Sequence, residues 1–182
     1  LLTKAGITVT VKIRLGFKEY NALEVARAVE KAGAKALTVH CRLGIHSNKT
    51  PADWSWLTKI KQAISIPLIG NGDITTPQEA EAMLTHCDGI MIARAAMGDP
   101  DLFARILTYA KDGTTRKKDF TRNLPYLIKY IVYCTQYNFT DIHRIKQVTS
   151  YFLSGFPQAA QKRQALHACK TFSELELFVK KL

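Results

Sequence analysis

The chain is short of acid, of cysteine and of long apolar runs. No apolar run approaches the ~18–20 residues that a membrane-spanning helix needs, so a membrane partner is not expected. No charged, apolar and small-residue leader pattern opens the chain either. Its four cysteines, Cys41, Cys87, Cys134 and Cys169, lie far apart and form no Cys-x-x-Cys pair. That excludes a zinc knuckle and a disulfide framework, leaves no metal site to nominate, and makes a reducing cytoplasm the expected compartment. Low hydrophobicity, the mark of disorder, is absent too, because 47% of the 182 residues are hydrophobic. An initiator Met is also missing. The chain starts at Leu1 and runs almost directly into a strand pattern, so the expectation is a piece of a longer protein.

The scarcity of acid is uneven. Fifteen Asp/Glu face 26 Lys/Arg, for a formal net charge of +11. Residues 1–110 carry 13 Lys/Arg against 10 Asp/Glu, whereas residues 111–182 carry 13 against 5. A basic module therefore follows a nearly neutral one, and a polyanion such as nucleic acid is the partner that this distribution suits.

Strand-like runs begin near Thr8, Ala36, Ile66 and Gly89, and each leads into a helical pattern. The helices are expected at about 21–32, 53–64, 77–86 and 100–110. Trp54, Leu57, Ile60 and Ile64 mark the second, and Leu102, Phe103, Ile106 and Leu107 the fourth. Repeated βα units imply a parallel sheet. After Gly113 the pattern changes: 114–119 reads as a polar, basic linker, and only helices follow. Leu124, Leu127, Ile128, Ile131 and Thr135 trace one face of the first; Ile142, Ile145, Val148 and Phe152 trace the second. Two more are expected at about 158–168 and 173–181. Four βα units do not close an eight-stranded barrel. The expected fold class is α/β: the second half of a TIM (β/α)8 barrel over 1–113, then a small all-α bundle over 114–182. Strand parity puts Thr10, Lys12 and Arg14 on one face of the first strand, and Thr38, His40 and Arg42 on one face of the second. In a barrel that face points inward, and its C-terminal rim is where barrel active sites sit.

Polar groups reach the ends of all four strands: Lys12 and Arg14, His40 and Arg42, Asn71 and Asp73, and Arg94. The third strand ends in Gly70-Asn71-Gly72-Asp73, with a helix start at Thr75-Thr76-Pro77. A glycine-rich turn feeding a helix N-terminus can set backbone N–H groups against a phosphate.

Five motifs in order carry a family resemblance. They are Val11-Lys12-Ile13-Arg14-Leu15-Gly16-Phe17, Leu37-Thr38-Val39-His40-Cys41-Arg42, Ala52-Asp53-Trp54, Gly70-Asn71-Gly72-Asp73-Ile74, and the run from Asp88 to Pro100 through Ala93-Arg94. The series resembles the tRNA-dihydrouridine synthases, of bacterial type. Ile145-Lys146-Gln147, Tyr151–Pro157 and Arg163 resemble that family's C-terminal helical domain. The resemblance implies the C-terminal part of an FMN enzyme that reduces the C5–C6 bond of uridine in tRNA, with NADPH reloading the flavin. It implies cofactor contacts from Lys12, His40, Asn71, Gly72, Asp73, Ala93 and Arg94. A lysine ammonium stabilises the negative charge that a reduced flavin gathers, and histidine donates to the same edge. Arg14 and Arg42 are the candidate RNA contacts. Cys41 and Ala93 stand where the family usually has Gly. The catalytic cysteine that the resemblance implies, a general acid, is expected upstream of residue 1, so no catalytic residue is nominated and the fragment alone is expected to be inactive. Two other readings stay open: another FMN barrel acting on a small molecule, of dihydroorotate dehydrogenase type, and a non-catalytic RNA-binding relative.

Overall fold

The computed structural model of the chain describes residues 5–182. Two compact units divide it, one up to Ala93 and the other from Arg94 onward.

The first unit alternates strand and helix: β1 (Thr10–Arg14), α1 (Ala22–Lys31), β2 (Ala36–His40), α2 (Ser55–Lys61), β3 (Leu68–Asn71), α3 (Pro77–Leu84) and β4 (Gly89–Met91). The strands form one parallel sheet in the order β1-β2-β3-β4. The chain is thus an α/β protein with a parallel sheet, as the βα repeat predicts. Leu37 and Val39 of β2, Leu68 of β3, Leu57 and Ile60 of α2, and Ala80 and Met83 of α3 are all fully buried. Each large side chain among them contributes roughly 1.5–3 kcal/mol of burial, so the helix side of the sheet holds the unit together. The other face of β1 is open: Thr10, Lys12 and Arg14 are exposed while Val11 and Ile13 are half-buried.

The second unit begins with the short α4 (Arg94–Met97), which the sequence pattern does not announce, and continues with α5 (Leu102–Asp112), α6 (Phe120–Gln136), α7 (Ile142–Phe152), α8 (Ala159–Ala168) and α9 (Phe172–Lys180). Leu127, Ile131, Ile145, Phe152, Leu166 and Leu175 form the centre of a core shared by the last four helices. Two expected apolar faces shift. On α5, Phe103 is 50% and Leu107 72% exposed, while Arg105 is buried. Its guanidinium pairs with the buried Asp99, and Asn123 of α6 donates to the same carboxylate at 2.9 Å. On α6, Ile128 is exposed, and the buried stripe runs through Asn123, Leu127, Ile131 and Cys134. A buried polar cluster thus takes a place that hydrophobic periodicity assigns to carbon. The basic segment after α5 is fastened to that helix's start by Arg116, whose Nη2 lies 2.6 Å from Asp101 Oδ1.

Candidate functional site

The parallel register sets Arg14, His40, Asn71 and Met91 in one row across the C-terminal ends of the strands, with Lys12 two residues behind Arg14. Five sequence-nominated residues, Lys12, Arg14, His40, Asn71 and the neighbouring Asp73, therefore come to one end of one sheet.

Beyond β3 the chain turns through two successive positive φ values, 131° at Gly72 and 58° at Asp73. Gly72 is required there twice over. Its φ is one that L side chains rarely adopt, and a Cβ would stand 2.9 Å from Ala52 Cβ and 3.4 Å from His40 Cδ2. The turn is held from outside by the segment between β2 and α2. Trp54 donates its indole N–H to the Gly72 carbonyl at 3.1 Å, and the Ala52 N–H donates to Asp73 Oδ2 at 2.9 Å.

Arg42 is the centre of this arrangement. It is 2% exposed. Its Nη2 donates to both carboxylate oxygens of Asp73 at 2.5 Å, and its Nε to the Thr50 carbonyl at 2.5 Å. Its Nη1 lies 3.1 Å from His40 Nε2. A guanidinium only donates, so His40 Nε2 accepts. The imidazole is therefore neutral, with its proton on Nδ1. The expectation of an RNA contact at Arg42 is corrected: every nitrogen of the group is engaged inside the protein and no face is left for an RNA phosphate. Arg42 holds the ring of His40, the carboxylate of Asp73 and the loop at Thr50 in one cluster. Arg14 is exposed, and its Nη1 donates to the Leu43 carbonyl at 2.9 Å.

Asn71 is buried, and its side-chain amide donates to the Met91 carbonyl at 2.8 Å, tying β3 to β4. Lys12 is an exposed residue. Its ammonium lies below the ordinary lysine range, first because neighbouring protein strips water from it, and second because the Arg14 cation is close. Ala93 closes the first unit two residues after β4, and Arg94 follows it in the chain as the first residue of α4.

A further expectation changes at α3. The N-terminus of this helix closes on its own side chains. Thr76 Oγ1 accepts from the Glu79 N–H, and the Glu79 carboxylate accepts from the N–H groups of Thr75 and Thr76 at 2.7 and 2.9 Å. A carboxylate already sits where a helix N-terminus attracts an anion, so α3 offers no phosphate cradle. The Thr-x-x-Glu spacing of a capping box was legible in the sequence. The Arg42–Asp73 pair, separated by 31 residues, left no such local signal.

Cys41 is fully buried on the helix side, where burial pushes its thiol up to about 12. Burial also raises Cys87 and Cys134. Among the described residues no group of three His, Cys, Asp or Glu is placed to hold a metal ion, and no helix is long and apolar enough to cross a membrane.

Comparison with known proteins gives a consistent family. The model of the family described as Dihydrouridine synthase (Dus) matches residues 1–181. The tRNA-dihydrouridine(16) synthase of Cupriavidus necator is 32% identical over 177 residues, which cover 94% of this chain and 55% of that protein. The probable tRNA-dihydrouridine synthase 1 of Synechocystis is 33% identical over 180 residues, covering 96% of this chain and 51% of the relative. The tRNA-dihydrouridine synthase B of Pseudomonas putida is 41% identical over 117 residues, or 62% of this chain and 35% of that one. The chain spans about half the length of the first two of these relatives. With a family match that runs through both units and takes in the whole rim cluster, the chain belongs to the dihydrouridine synthase family.

Proposed function

We propose that this chain forms part of an FMN-dependent tRNA-dihydrouridine synthase, an oxidoreductase that reduces the C5–C6 bond of uridine in tRNA with electrons drawn from NADPH. In this reading the four strands are the second half of a TIM barrel within residues 1–113, and residues 114–182 form a helical tRNA-binding domain. The observation that carries it is the rim cluster: His40 beside the Gly72-Asp73 turn and Lys12 two strands from that turn, at the C-terminal end of a parallel sheet, where barrel enzymes keep their sites.

The residues suit the cofactor. Gly72 has no Cβ, so Ala52 and the ring of His40 close in on the turn and fix its shape. Asp73 would repel a phosphate, but the Arg42 guanidinium bound to its carboxylate cancels that charge. FMN when bound would supply the hydride. Lys12 would hold positive charge against the flavin edge, and a lowered ammonium pKa makes that charge easier to modulate. His40, neutral and protonated on Nδ1, would donate a hydrogen bond without adding a cation. Asn71, Gly72, Asp73 and Ala93 would line the ribityl-phosphate, and Arg94, next in the chain, would add a donor to it. Arg14 is the remaining candidate for contact with RNA. None of the chain's own cysteines is assigned as the proton donor. That role is proposed for a cysteine upstream of residue 1, so these 182 residues alone would not turn over.

The test is made in a host deprived of its own dihydrouridine synthases. The gene at its full coding length is expected to restore the gain of two hydrogens on a tRNA uridine, read by mass spectrometry, and to yield a yellow protein. Lys12→Met is expected to abolish the gain. A colourless protein that takes up no FMN and restores no dihydrouridine would refute the proposal.

A further inference from the structure

A second concave site lies entirely within the helical unit. The polar face of α7 presents His143, Lys146, Gln147 and Ser150 at helical spacing, and α8 presents Arg163 and His167 one turn apart. Between them is a cavity of about 470 Å3 lined by these six residues with Tyr151 and Ser154, and by no carboxylate.

Three features of the cavity point to an anion. First, the C-terminal end of α8, which carries partial negative charge, is already satisfied there, because Lys146 Nζ donates to the His167 carbonyl at 2.9 Å. Second, no acidic side chain pairs with Arg163 among the described residues, so its guanidinium charge is uncompensated at the cavity wall. Third, Ser150 Oγ is buried and has no hydrogen-bond partner. A buried hydroxyl without a partner costs about 1–3 kcal/mol, and a ligand acceptor placed in the cavity would remove that cost. Two cations, of which Lys146 is already bound to the end of α8, two imidazoles, a carboxamide and the Ser150 hydroxyl stand around one space and form the donor set of a tetrahedral oxyanion.

We propose that the α7–α8 cavity is a phosphate-binding site that grips one phosphodiester of an RNA backbone. Arg163 forks onto the phosphate oxygens, Ser150 donates its hydroxyl from the floor, and Lys146 keeps the end of α8 from repelling the ligand. RNA, rather than a free phosphate ester, follows from the charge around it: residues 111–182 hold 13 Lys/Arg against 5 Asp/Glu, a surface suited to a long polyanion. The choice of RNA rests on the tRNA reading above. The readout is binding rather than uridine reduction, so failure of the catalytic reading leaves this test intact.

The experiment measures binding of the full chain to a tRNA transcript by fluorescence anisotropy at several KCl concentrations. Removing one phosphate contact lowers the slope of log K against log[salt] by about 0.9 and weakens binding about tenfold near 0.1 M salt. Arg163→Gln is expected to do both, and Arg163→Lys to recover the slope. Ser150→Ala, which changes no charge, is expected to weaken binding about tenfold. Lys129→Gln on α6 removes the same charge elsewhere in the unit and is expected to have the smaller effect. Equal losses for Arg163→Gln and Lys129→Gln, or no loss for Ser150→Ala, overturn the proposal. An unaltered tRNA slope, with inorganic phosphate moving the His167 ring resonances in NMR, would make the cavity a site for free phosphate and overturn the RNA assignment. Melting of each variant separates loss of binding from loss of fold.

Discussion

Arg42 is where the rim cluster is most exposed to a single change. Its side chain is 1% exposed and that of Asp73 36%. Truncating one partner of a fully buried pair costs about 3–5 kcal/mol, chiefly because the other charge is left uncompensated. Asp73 keeps some contact with water, which screens its charge and lowers the penalty. Against that, Arg42→Met also removes the donors to Thr50 and His40. The net expectation is a loss of about 3 kcal/mol. With a urea slope of about 2 kcal/mol per molar, the unfolding midpoint of the first unit falls by about 1.5 M at unchanged slope. Asp73→Asn suits the double-mutant cycle, because Asn tolerates the positive φ of 58° found there. The coupling energy between Arg42→Met and Asp73→Asn should reach about 1.5–3 kcal/mol. A second readout is chemical. Wild-type His40 should show a protonated Nδ1 and an unprotonated Nε2 in its 15N shifts, and Arg42→Met should release the proton toward Nε2. A midpoint shift below about 0.5 M, a coupling below about 0.5 kcal/mol, or a wild-type ring protonated on Nε2 would each refute the reasoning.

The buried Cys41 thiol, raised from 9.0 to about 12, makes stability fall with alkali. The folded state keeps the proton that the unfolded chain releases, so the stabilisation is complete below pH 9 and is lost as pH rises toward 12. Urea titrations at pH 8 and 10.5 should differ by about 2 kcal/mol from this group, and Cys41→Ala should remove that share; an unchanged difference in the variant would count against it. Gly98→Ala sets a Cβ into the Tyr151 carbonyl. A backbone oxygen cannot rotate away, so a loss of about 3 kcal/mol or more is expected by thermal melting, and a loss below about 1 would mean that α4 moves off α7 freely. Asn123→Ala strips the buried Asp99 carboxylate of a donor and should cost about 1–3 kcal/mol; Asn123→Asp, which sets two carboxylates together, should cost more.

The sheet was legible because its signals are local. Alternation of Val11 and Ile13 with Lys12 and Arg14, and the helical spacing of Leu57 and Ile60, are read within a few residues, and the observed elements follow them to within a few positions. The faces of α5 and α6 were less legible. Phe103, Leu107 and Ile128 satisfy apolar periodicity yet stay exposed, while Arg105 and Asn123 go inside because Asp99 offers them a partner. Hydrophobic spacing carries no information about a polar cluster closed through three elements. Arg42 is the same case at the rim. As a lone arginine at a strand end it reads as a ligand contact, and only the fold reveals that Asp73, Thr50 and His40 have claimed it.

Those two partnerships, Arg42 with Asp73 and Glu79 with the start of α3, redistribute the chemistry that the Gly70-Asn71-Gly72-Asp73 stretch suggests. A glycine-rich turn before a helix would ordinarily share an anion with the helix N-terminus. Here Glu79 occupies that N-terminus, so an anion brought to the rim meets no help from α3. Asp73, which by itself would oppose the anion, is neutralised by a cation that cannot swing out because it is buried and bound at two further points, Thr50 and His40. What remains available at the turn is the close backbone at Gly72 and the edge of His40 behind it. The proposed cofactor would therefore be recognised by shape at the turn and by charge from Lys12, and replacing either should fail in a different way. Loss of the glycine drives a Cβ into Ala52 and His40 and deforms the turn, whereas loss of the lysine leaves the turn intact but the reduced form without a counter-charge.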